Sequence, residues 1–333
     1  MEKVLLGGFF GFENIGDDAI LLSEIKFLKD SGFKPIILTN KGKSIFNEEG
    51  INRYNFIEIF KRRKEFKFFI LGGGGLFQDK TSFRSLLYYI FLIKFMKFLR
   101  KKVILLNVGI GPILRGISRK LLFNALKICD LIFLRDLYSY NFYKNLENKY
   151  LSSDSSFYLD VVKQKKENKI GVSLRDFDKL DLKKFKLFLD GIKNTTSQDL
   201  EFIVFSKEEI NIAEELNLNY FYSNDPIKII EKIGKFDFLI GTRYHSVIFS
   251  IMMETPFIAF VYDIKVKNLI DEIGLENLIY PGEDLQIWLK KFYENFEKKD
   301  YLKNVLIEKK REFKERVSFS FEKMIEFIKN EYL

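Results

Sequence analysis

Capturing a small anion and moving a proton near neutral pH call for different side chains, and one short run of this chain supplies both. In Phe238-Leu-Ile-Gly-Thr-Arg-Tyr-His-Ser-Val-Ile-Phe249 an apolar stretch meets Gly241 and Thr242 and then becomes helix-like. The pattern reads as a buried strand, a tight turn and a helix N-terminus. That turn offers the Arg243 guanidinium and the backbone N–H groups of a helix start, which together favour negative charge. It also carries His245, the single histidine of the sequence. Imidazole titrates near pH 7 without help from its surroundings, so it can act as an acid or a base there. The competing reading is a lone histidine satisfied by a helix end.

Three further loops hold chemistry-bearing residues. Gly7-Gly-Phe-Phe-Gly-Phe-Glu-Asn-Ile-Gly-Asp-Asp18 is a glycine-punctuated turn leading into a helix. Its glycines let the backbone approach a ligand, and Asp17 or Asp18 can cap the helix or serve as a base. The spacing is not that of a dinucleotide fingerprint. Leu71-Gly-Gly-Gly-Gly-Leu-Phe-Gln-Asp79 places four glycines at a strand end. A plain turn has little need of so many, so a backbone nest for an anion or close contact with a sugar is expected. The Lys-Ser/Thr ending of a P-loop is missing, which removes nucleotide hydrolysis. In Ile170-Gly-Val-Ser-Leu-Arg-Asp176, Arg175 leaves the end of another strand. Two arginines and a histidine at neighbouring strand ends suit a ligand bearing both phosphate and carboxylate, since a guanidinium grips either with two parallel hydrogen bonds. Pairing of Arg175 with Asp176 or Asp178 is the alternative.

These loops need a scaffold that collects strand ends. In the first half, strands are expected at Val4–Gly8, Pro35–Thr39, Phe68–Leu71, Val103–Val108 and Leu131–Leu134. Helices are expected at Asp17–Lys29, Ser82–Arg100, Ser118–Cys129 and Ser139–Leu146. The lysine-rich Val162–Asn168 reads as a linker, after which the alternation restarts. Its strands are Lys169–Ser173, Leu200–Phe205, Asn219–Tyr222, Phe238–Gly241 and Phe257–Phe260. The expected fold class is therefore α/β, with two Rossmann-like, doubly wound parallel-sheet domains facing a cleft, spanning 1–161 and 169–333. The last helix has the option of packing back on the first domain. Ligands in such sheets bind at the carboxyl ends of the strands, where all four loops fall.

Composition excludes several classes. At 47% hydrophobic and 30% charged residues, the chain is an ordinary soluble globular protein, not a disordered one. One cysteine, Cys129, rules out an internal disulfide and points to a reducing, cytoplasmic setting; with one histidine beside it, a structural zinc site is excluded. No secretory signal is visible at the start. Leu86–Ile93 is the most membrane-like stretch, but eight apolar residues fall short of the roughly 20 needed to span a bilayer. It reads as a buried helix, with attachment to an anionic membrane surface as the minority reading. The net charge of +9 is diffuse and lacks a recognition motif, so nucleic acid is not expected as a partner. Oligomeric state is left open.

The opening Gly-Phe-Phe-Gly-Phe-Glu-Asn-Ile-Gly-Asp-Asp-Ala-Ile-Leu, the Gly72–Asp79 loop and Gly241-Thr-Arg-Tyr-His-Ser-Val resemble the polysaccharide pyruvyl transferase family over nearly the whole chain, and Asp271-Glu-Ile-Gly-Leu resembles its C-terminal region. The resemblance implies a GT-B-like fold and transfer of pyruvate from phosphoenolpyruvate onto two hydroxyls of one sugar, forming a cyclic ketal. It implies a cell-wall or exopolysaccharide acceptor, often lipid-linked, which would give a basic, apolar surface a use at the inner face of the membrane.

By the same resemblance Arg243, His245 and Arg175 hold phosphoenolpyruvate, with Thr242 and the Tyr244 N–H beside them. His245 would then be the acid and Asp17 the base, with Asp18 second. Gly11, Asn14, Gly72, Gly73, Gly74, Gly75, Gln78 and Asp79 would face the acceptor. Neither a cofactor nor a metal is required. The usual first loop has a glycine where this chain has Glu13, and a glutamate where it has Asp18. Two other readings stay open: a nucleotide-sugar glycosyltransferase on the same fold, and a non-catalytic protein binding glycan or membrane surface.

Overall fold

The protein is described by a computed structural model that covers residues 2–175 and 180–331. It divides into two compact units. The first comprises Met1–Phe12, Asp17–Leu159 and Phe313–Leu333; the second comprises Glu13–Gly16 and Asp160–Glu312.

The first unit carries β1 (Glu2–Gly7), β2 (Phe33–Thr39), β3 (Glu49–Asn52), β4 (Phe66–Leu71), β5 (Gly74–Phe77), β6 (Lys102–Ile110), β7 (Leu131–Leu134) and β8 (Lys149–Leu151). Its helices are α1 (Ile15–Asp30, whose first two residues belong to the second unit), α2 (Phe56–Lys61), α3 (Phe83–Phe98), α4 (Gly116–Leu126) and α5 (Leu137–Phe142). The sheet order is β3-β2-β1-β4-β6-β7-β8, with β5 beside β6 and every pair parallel. Strand order reverses between β1 and β4, the topological switch point at which such sheets open a crevice. There Gly7 pairs with Leu71, and the Gly72 N–H donates to the Gly7 carbonyl at 2.7 Å. The near-continuous apolar runs of β4 and β6 bury both faces, as parallel strands require. Tyr89, Ile93 and Met96 of α3 join Phe69 and Leu105 in the core, together with Cys129.

The second unit holds β9 (Lys169–Ser173), β10 (Asp199–Ile203), β11 (Asn219–Phe221), β12 (Phe238–Gly241), β13 (Phe257–Phe260) and β14 (Leu278–Ile279), in the order β11-β10-β9-β12-β13-β14. All pairs are again parallel. Its helices are α6 (Leu182–Thr196), α7 (Ile210–Glu215), α8 (Pro226–Gly234), α9 (Tyr244–Met253), α10 (Ile264–Ile273), α11 (Leu285–Glu297) and the first part of α12 (Lys299–Asn330). The phenylalanine-rich composition finds its use here. Phe188, Phe260 and Trp288 meet edge-to-face, with centroids 5.0–5.8 Å apart, and the indole N–H donates to the Tyr280 carbonyl at 3.0 Å. The switch point lies between β9 and β12, where Ser173 pairs with Gly241.

Several short elements were not expected from sequence: β3, β5, β8, β14 and α2. A 3-10 turn, Lys207–Glu209, leads directly into α7. The glycine loop after β4 is also shorter than its sequence suggests, because Gly74 and Gly75 enter β5, drawn into the sheet by buried Leu76 and Phe77.

Candidate active site

In the second unit, the switch point gathers the loops after β9 and β12. The Thr242 N–H donates to the Ser173 carbonyl, and the Arg175 N–H donates to Thr242 Oγ1, both at 2.8 Å. Thr242 is fully buried and serves as the clasp between the two arginine-bearing loops. Arg175 itself is exposed, with its guanidinium 5.9 Å from the Tyr262 ring. Its alternative partners Asp176 and Asp178 lie outside the described residues.

Arg243 occupies the N-cap of α9 and makes no side-chain cap there. By contrast α6, α8 and α10 are capped by the carboxylates of Asp181, Asp225 and Asp263. A cation therefore stands at the positive end of α9 where its neighbours carry an anion, and an incoming anion gains from both. Every residue of α9 is buried except His245, and the hydroxyls of its Ser246 and Ser250 donate back to the carbonyls of Arg243 and Ser246. The helix is thus a core element with one polar outlet, the imidazole in its first turn. Gly241 is needed beneath it, since a Cβ there would stand 2.5 Å from Ser246 Oγ, which donates to the Arg243 carbonyl at 2.7 Å.

Two residues of this site escaped the sequence reading. Glu209 is buried, and its Oε1 accepts a hydrogen bond from Arg243 Nε, while its Oε2 accepts from the N–H of Phe205 at 2.7 Å. Burial pushes this carboxyl above its ordinary range, and the Arg243 charge opposes that push. The run Ser206-Lys-Glu-Glu209 is a capping box, which was the available signal. The second is Gly16, whose segment Glu13–Gly16 belongs to this unit. The Ile15 N–H donates to the Phe205 carbonyl at 3.2 Å, and Gly16 lies directly against the His245 ring.

In the first unit, the switch point gathers the loops after β1 and β4. Asp17 is buried, and a Cβ on Gly74 (φ +100°) would stand 3.2 Å from its Oδ1, so this carboxylate borders the glycine loop. Asp18 follows, half-buried. Gly11 takes φ +78° with Thr39 and Asn40 packed against it. Below the loop lies Glu24 of α1, fully buried. Its Oε1 accepts from the N–H of Gly73 at 2.8 Å and from Ser155 Oγ at 2.9 Å, and Ser155 in turn accepts from Asn107 Nδ2 at 3.0 Å. A Cβ on Gly72 would meet Glu24 Oε2 at 2.0 Å, so the glycine is what admits the carboxyl. Burial raises this acid to about 8, against the two hydrogen bonds that lower it.

Two buried arginines flank the same strand ends. Arg53 Nη1 donates to the Gly8 carbonyl at 3.1 Å, and its guanidinium lies 4.4 Å from the Tyr88 ring centroid. Arg135 lies against Gly75 and Gly109, where added Cβ atoms would meet its guanidinium at 3.4 and 2.6 Å. The tripeptide Leu134-Arg-Asp136 repeats Leu174-Arg-Asp176 at another strand end, a signal that could have found it.

Other residues expected to face an acceptor accept hydrogen bonds from backbone N–H groups. Asn14 accepts from the Gly16 N–H at 3.2 Å, capping α1. Asp79 accepts from the N–H groups of Leu114 at 2.6 Å and Arg115 at 3.1 Å. Burial would raise the Asp79 carboxyl, and these hydrogen bonds outweigh it and lower it. Gln78 closes a turn onto Thr81, accepting its N–H at 3.1 Å.

Two parallel α/β units, each with a topological switch point, define the GT-B class of fold. Solved structures agree. The Staphylococcus aureus MnaA–UDP complex superposes with a TM-score of 0.65 at 12% identity, covering 99% of this chain and 96% of that one. The UDP-GlcNAc 2-epimerase of Neisseria meningitidis gives 0.63 at 9% identity, covering 99% and 100%. A glycosyltransferase from Rickettsia africae gives 0.58 at 11% identity, covering 99% and 98%. At these identities the likeness concerns the fold alone. The pattern of the polysaccharide pyruvyl transferase family matches residues 14–264, and the chain belongs to that family. It is therefore a transferase, with a saccharide as its acceptor class. No curated protein matches the sequence.

Proposed function

We propose that this enzyme transfers pyruvate from phosphoenolpyruvate onto two hydroxyls of one sugar, forming a cyclic ketal on a lipid-linked cell-wall or exopolysaccharide precursor. The observation that supports the reading is the pairing of Ser173 with Gly241, closed by Thr242, because the Arg175 and Arg243 loops and the His245 helix start then follow neighbouring strand ends. Two guanidiniums suit a ligand that is both phosphate and carboxylate.

The chemistry balances as follows. His245, as imidazolium, gives a proton to the methylene carbon of phosphoenolpyruvate, making a methyl group and a cationic C2. One sugar hydroxyl adds at C2 and the C2–O bond to phosphate breaks. The second hydroxyl then closes the ketal. Of the two hydroxyl protons released, one restores the imidazolium and the other leaves on the phosphate. Arg243 and Arg175 stabilise charge on the departing phosphate and orient the carboxylate. Asp17, beside the glycine loop of the first unit, is the base for the acceptor, with Asp18 second.

The test incubates the enzyme with phosphoenolpyruvate and an N-acetylhexosamine-containing lipid-linked acceptor. Phosphate should be released and the acceptor should gain the mass of a pyruvyl ketal. His245→Gln should abolish turnover at unchanged melting temperature. Thermal protection by a nucleoside diphosphate but not by phosphoenolpyruvate would replace this reading with a nucleotide-sugar glycosyltransferase. An acceptor borne on lipid also calls for work at a cytoplasmic membrane face without crossing it. Among the described residues no helix is long and apolar enough to cross a membrane.

A further inference from the structure

α3 buries Leu86, Tyr89, Ile90, Ile93 and Met96, and its other side carries Phe91, Lys94 and Phe98 at helical spacing. Phe91 is 49% exposed and Phe98 78%. α2 extends this face. Its Phe56 ring meets Phe91 at 5.0 Å and Phe95 at 5.3 Å, and its outer residues Ile57 and Phe60 are 71% and 44% exposed. Lys101 Nζ donates to the Phe66 carbonyl at 2.7 Å and to that of Arg63, which sets the end of α3 beside the end of α2. Ile57, Phe60, Phe91 and Phe98 are thus exposed on two helices that adjoin through Phe56 and Lys101, and clustered apolar exposure of this kind marks a contact surface.

The surroundings of this surface are cationic. Lys61, Lys64, Lys94 and Arg100 are exposed along it, and the Arg63 guanidinium lies 4.2 Å from the Phe60 ring. The nearby acids are engaged: Glu58 accepts from Asn55 at 2.9 Å, and Glu65 is paired with Arg62 and Lys3. A second copy related by a twofold axis would set these cations against themselves. An anionic lipid surface accepts both parts, with rings in the headgroup boundary and ammonium and guanidinium groups on phosphate.

We propose that the α2–α3 face docks this enzyme onto an anionic lipid surface. This deepens the reading of a lipid-borne acceptor, but stands on residues separate from the transfer chemistry. The test floats the full chain with vesicles of phosphatidylcholine alone and with vesicles containing about one-third phosphatidylglycerol. Binding is expected only to the second, with release by salt. Ile57→Ser with Phe98→Ser, and separately Lys61→Glu with Lys64→Glu, should each lower the bound fraction roughly tenfold or more at unchanged melting temperature. No flotation with anionic vesicles, or flotation unchanged in both variants, overturns the proposal. So does a dimer in sedimentation that Ile57→Ser with Phe98→Ser dissociates, because the face then belongs to a second copy. Phosphate release from phosphoenolpyruvate, measured in parallel on the parent chain, separates the two readings: a parent that turns over but does not float removes the docking face alone, and a parent that floats without turnover removes pyruvyl transfer alone.

Discussion

Gly16 lies flat against the imidazole of His245: a Cβ on this glycine would stand 2.0 Å from Nδ1 and 2.3 Å from Cγ. Nothing in the backbone at position 16 demands glycine, because it sits in the first turn of α1 without a positive φ. The requirement is the ring. Gly16→Ala should therefore turn His245 out of place while leaving α1 formed. A displacement of about 1 Å at a reacting group costs on the order of a hundredfold in rate. The expected result is a loss of that size in phosphate release at nearly unchanged melting temperature. In a His245→Ala background the same substitution should have no further effect on phosphoenolpyruvate affinity, and a double-mutant cycle on that affinity reads the coupling. An additive cycle would detach Gly16 from the imidazole.

Arg243 and Glu209 form a mostly buried pair, with side chains 13% and 3% exposed. Removing the cation strands a buried carboxylate. Arg243→Ala should accordingly destabilise the protein by roughly 3–5 kcal/mol, on top of weakening donor binding. Glu209→Gln in the same chain should restore most of the stability, because no buried charge is then left alone. It should not restore phosphoenolpyruvate binding. Thermal melts with and without the donor distinguish the two effects; recovery of donor protection in the double variant would take Arg243 out of the anion site.

How much of this site the sequence disclosed follows from how local each signal is. β7, β9, β12 and β13 coincide with the expected strands, because apolar runs bounded by glycine or polar residues mark buried parallel strands on their own. Arg175, Thr242, Arg243 and His245 were legible for the same reason: each lies within four residues of the end of such a strand. Glu24 was not. It sits at an ordinary position of an amphipathic helix, and only folding sets it against Gly73 and Ser155, 49 and 131 residues away. Arg53 was hidden likewise, its Gly8 partner lying 45 residues away, and for Glu209 the local capping box was visible but its pairing with Arg243, 34 residues on, was not. At Asp79 the sequence shows a carboxylate after a glycine loop but not the Leu114 and Arg115 amides that donate to it, which lie 35 and 36 residues further on.

Glu13 sits at φ +56°, in the left-handed region that a side chain makes costly. It replaces the glycine that the family resemblance leads one to expect at this position. Its carboxylate lies 3.2 Å from Lys207 Nζ, but both side chains are more than half exposed and such a pair adds little. Relief of the backbone should win over loss of the pair. Glu13→Gly is expected to raise stability by about 0.5–1 kcal/mol, the extra freedom of glycine in the unfolded chain offsetting part of the gain. Denaturant titration at one pH checks it, and a clear loss would mean that the ion pair carries more than its exposure allows.

Glu24 makes the stability depend on pH in a definable window. Its carboxyl is raised from 4.5 to about 8 by burial beneath Gly72. The folded state therefore binds this proton more tightly than the unfolded chain does. Between those two values the unfolded state releases the proton and the folded state keeps it, so unfolding is increasingly favoured as pH rises. The stability associated with the protonated group is fully present below about 4.5, declines through the interval, and is gone above about 8. Glu24→Gln keeps an acceptor for the Gly73 N–H and the Ser155 hydroxyl and places an uncharged amide where Oε2 was. The variant should lose the downward slope across that interval and melt higher than the parent at pH 9, by an amount corresponding to a few kcal/mol. The outcome that refutes this is a parent melting temperature that holds level from pH 5 to 9, or falls in parallel with that of the variant.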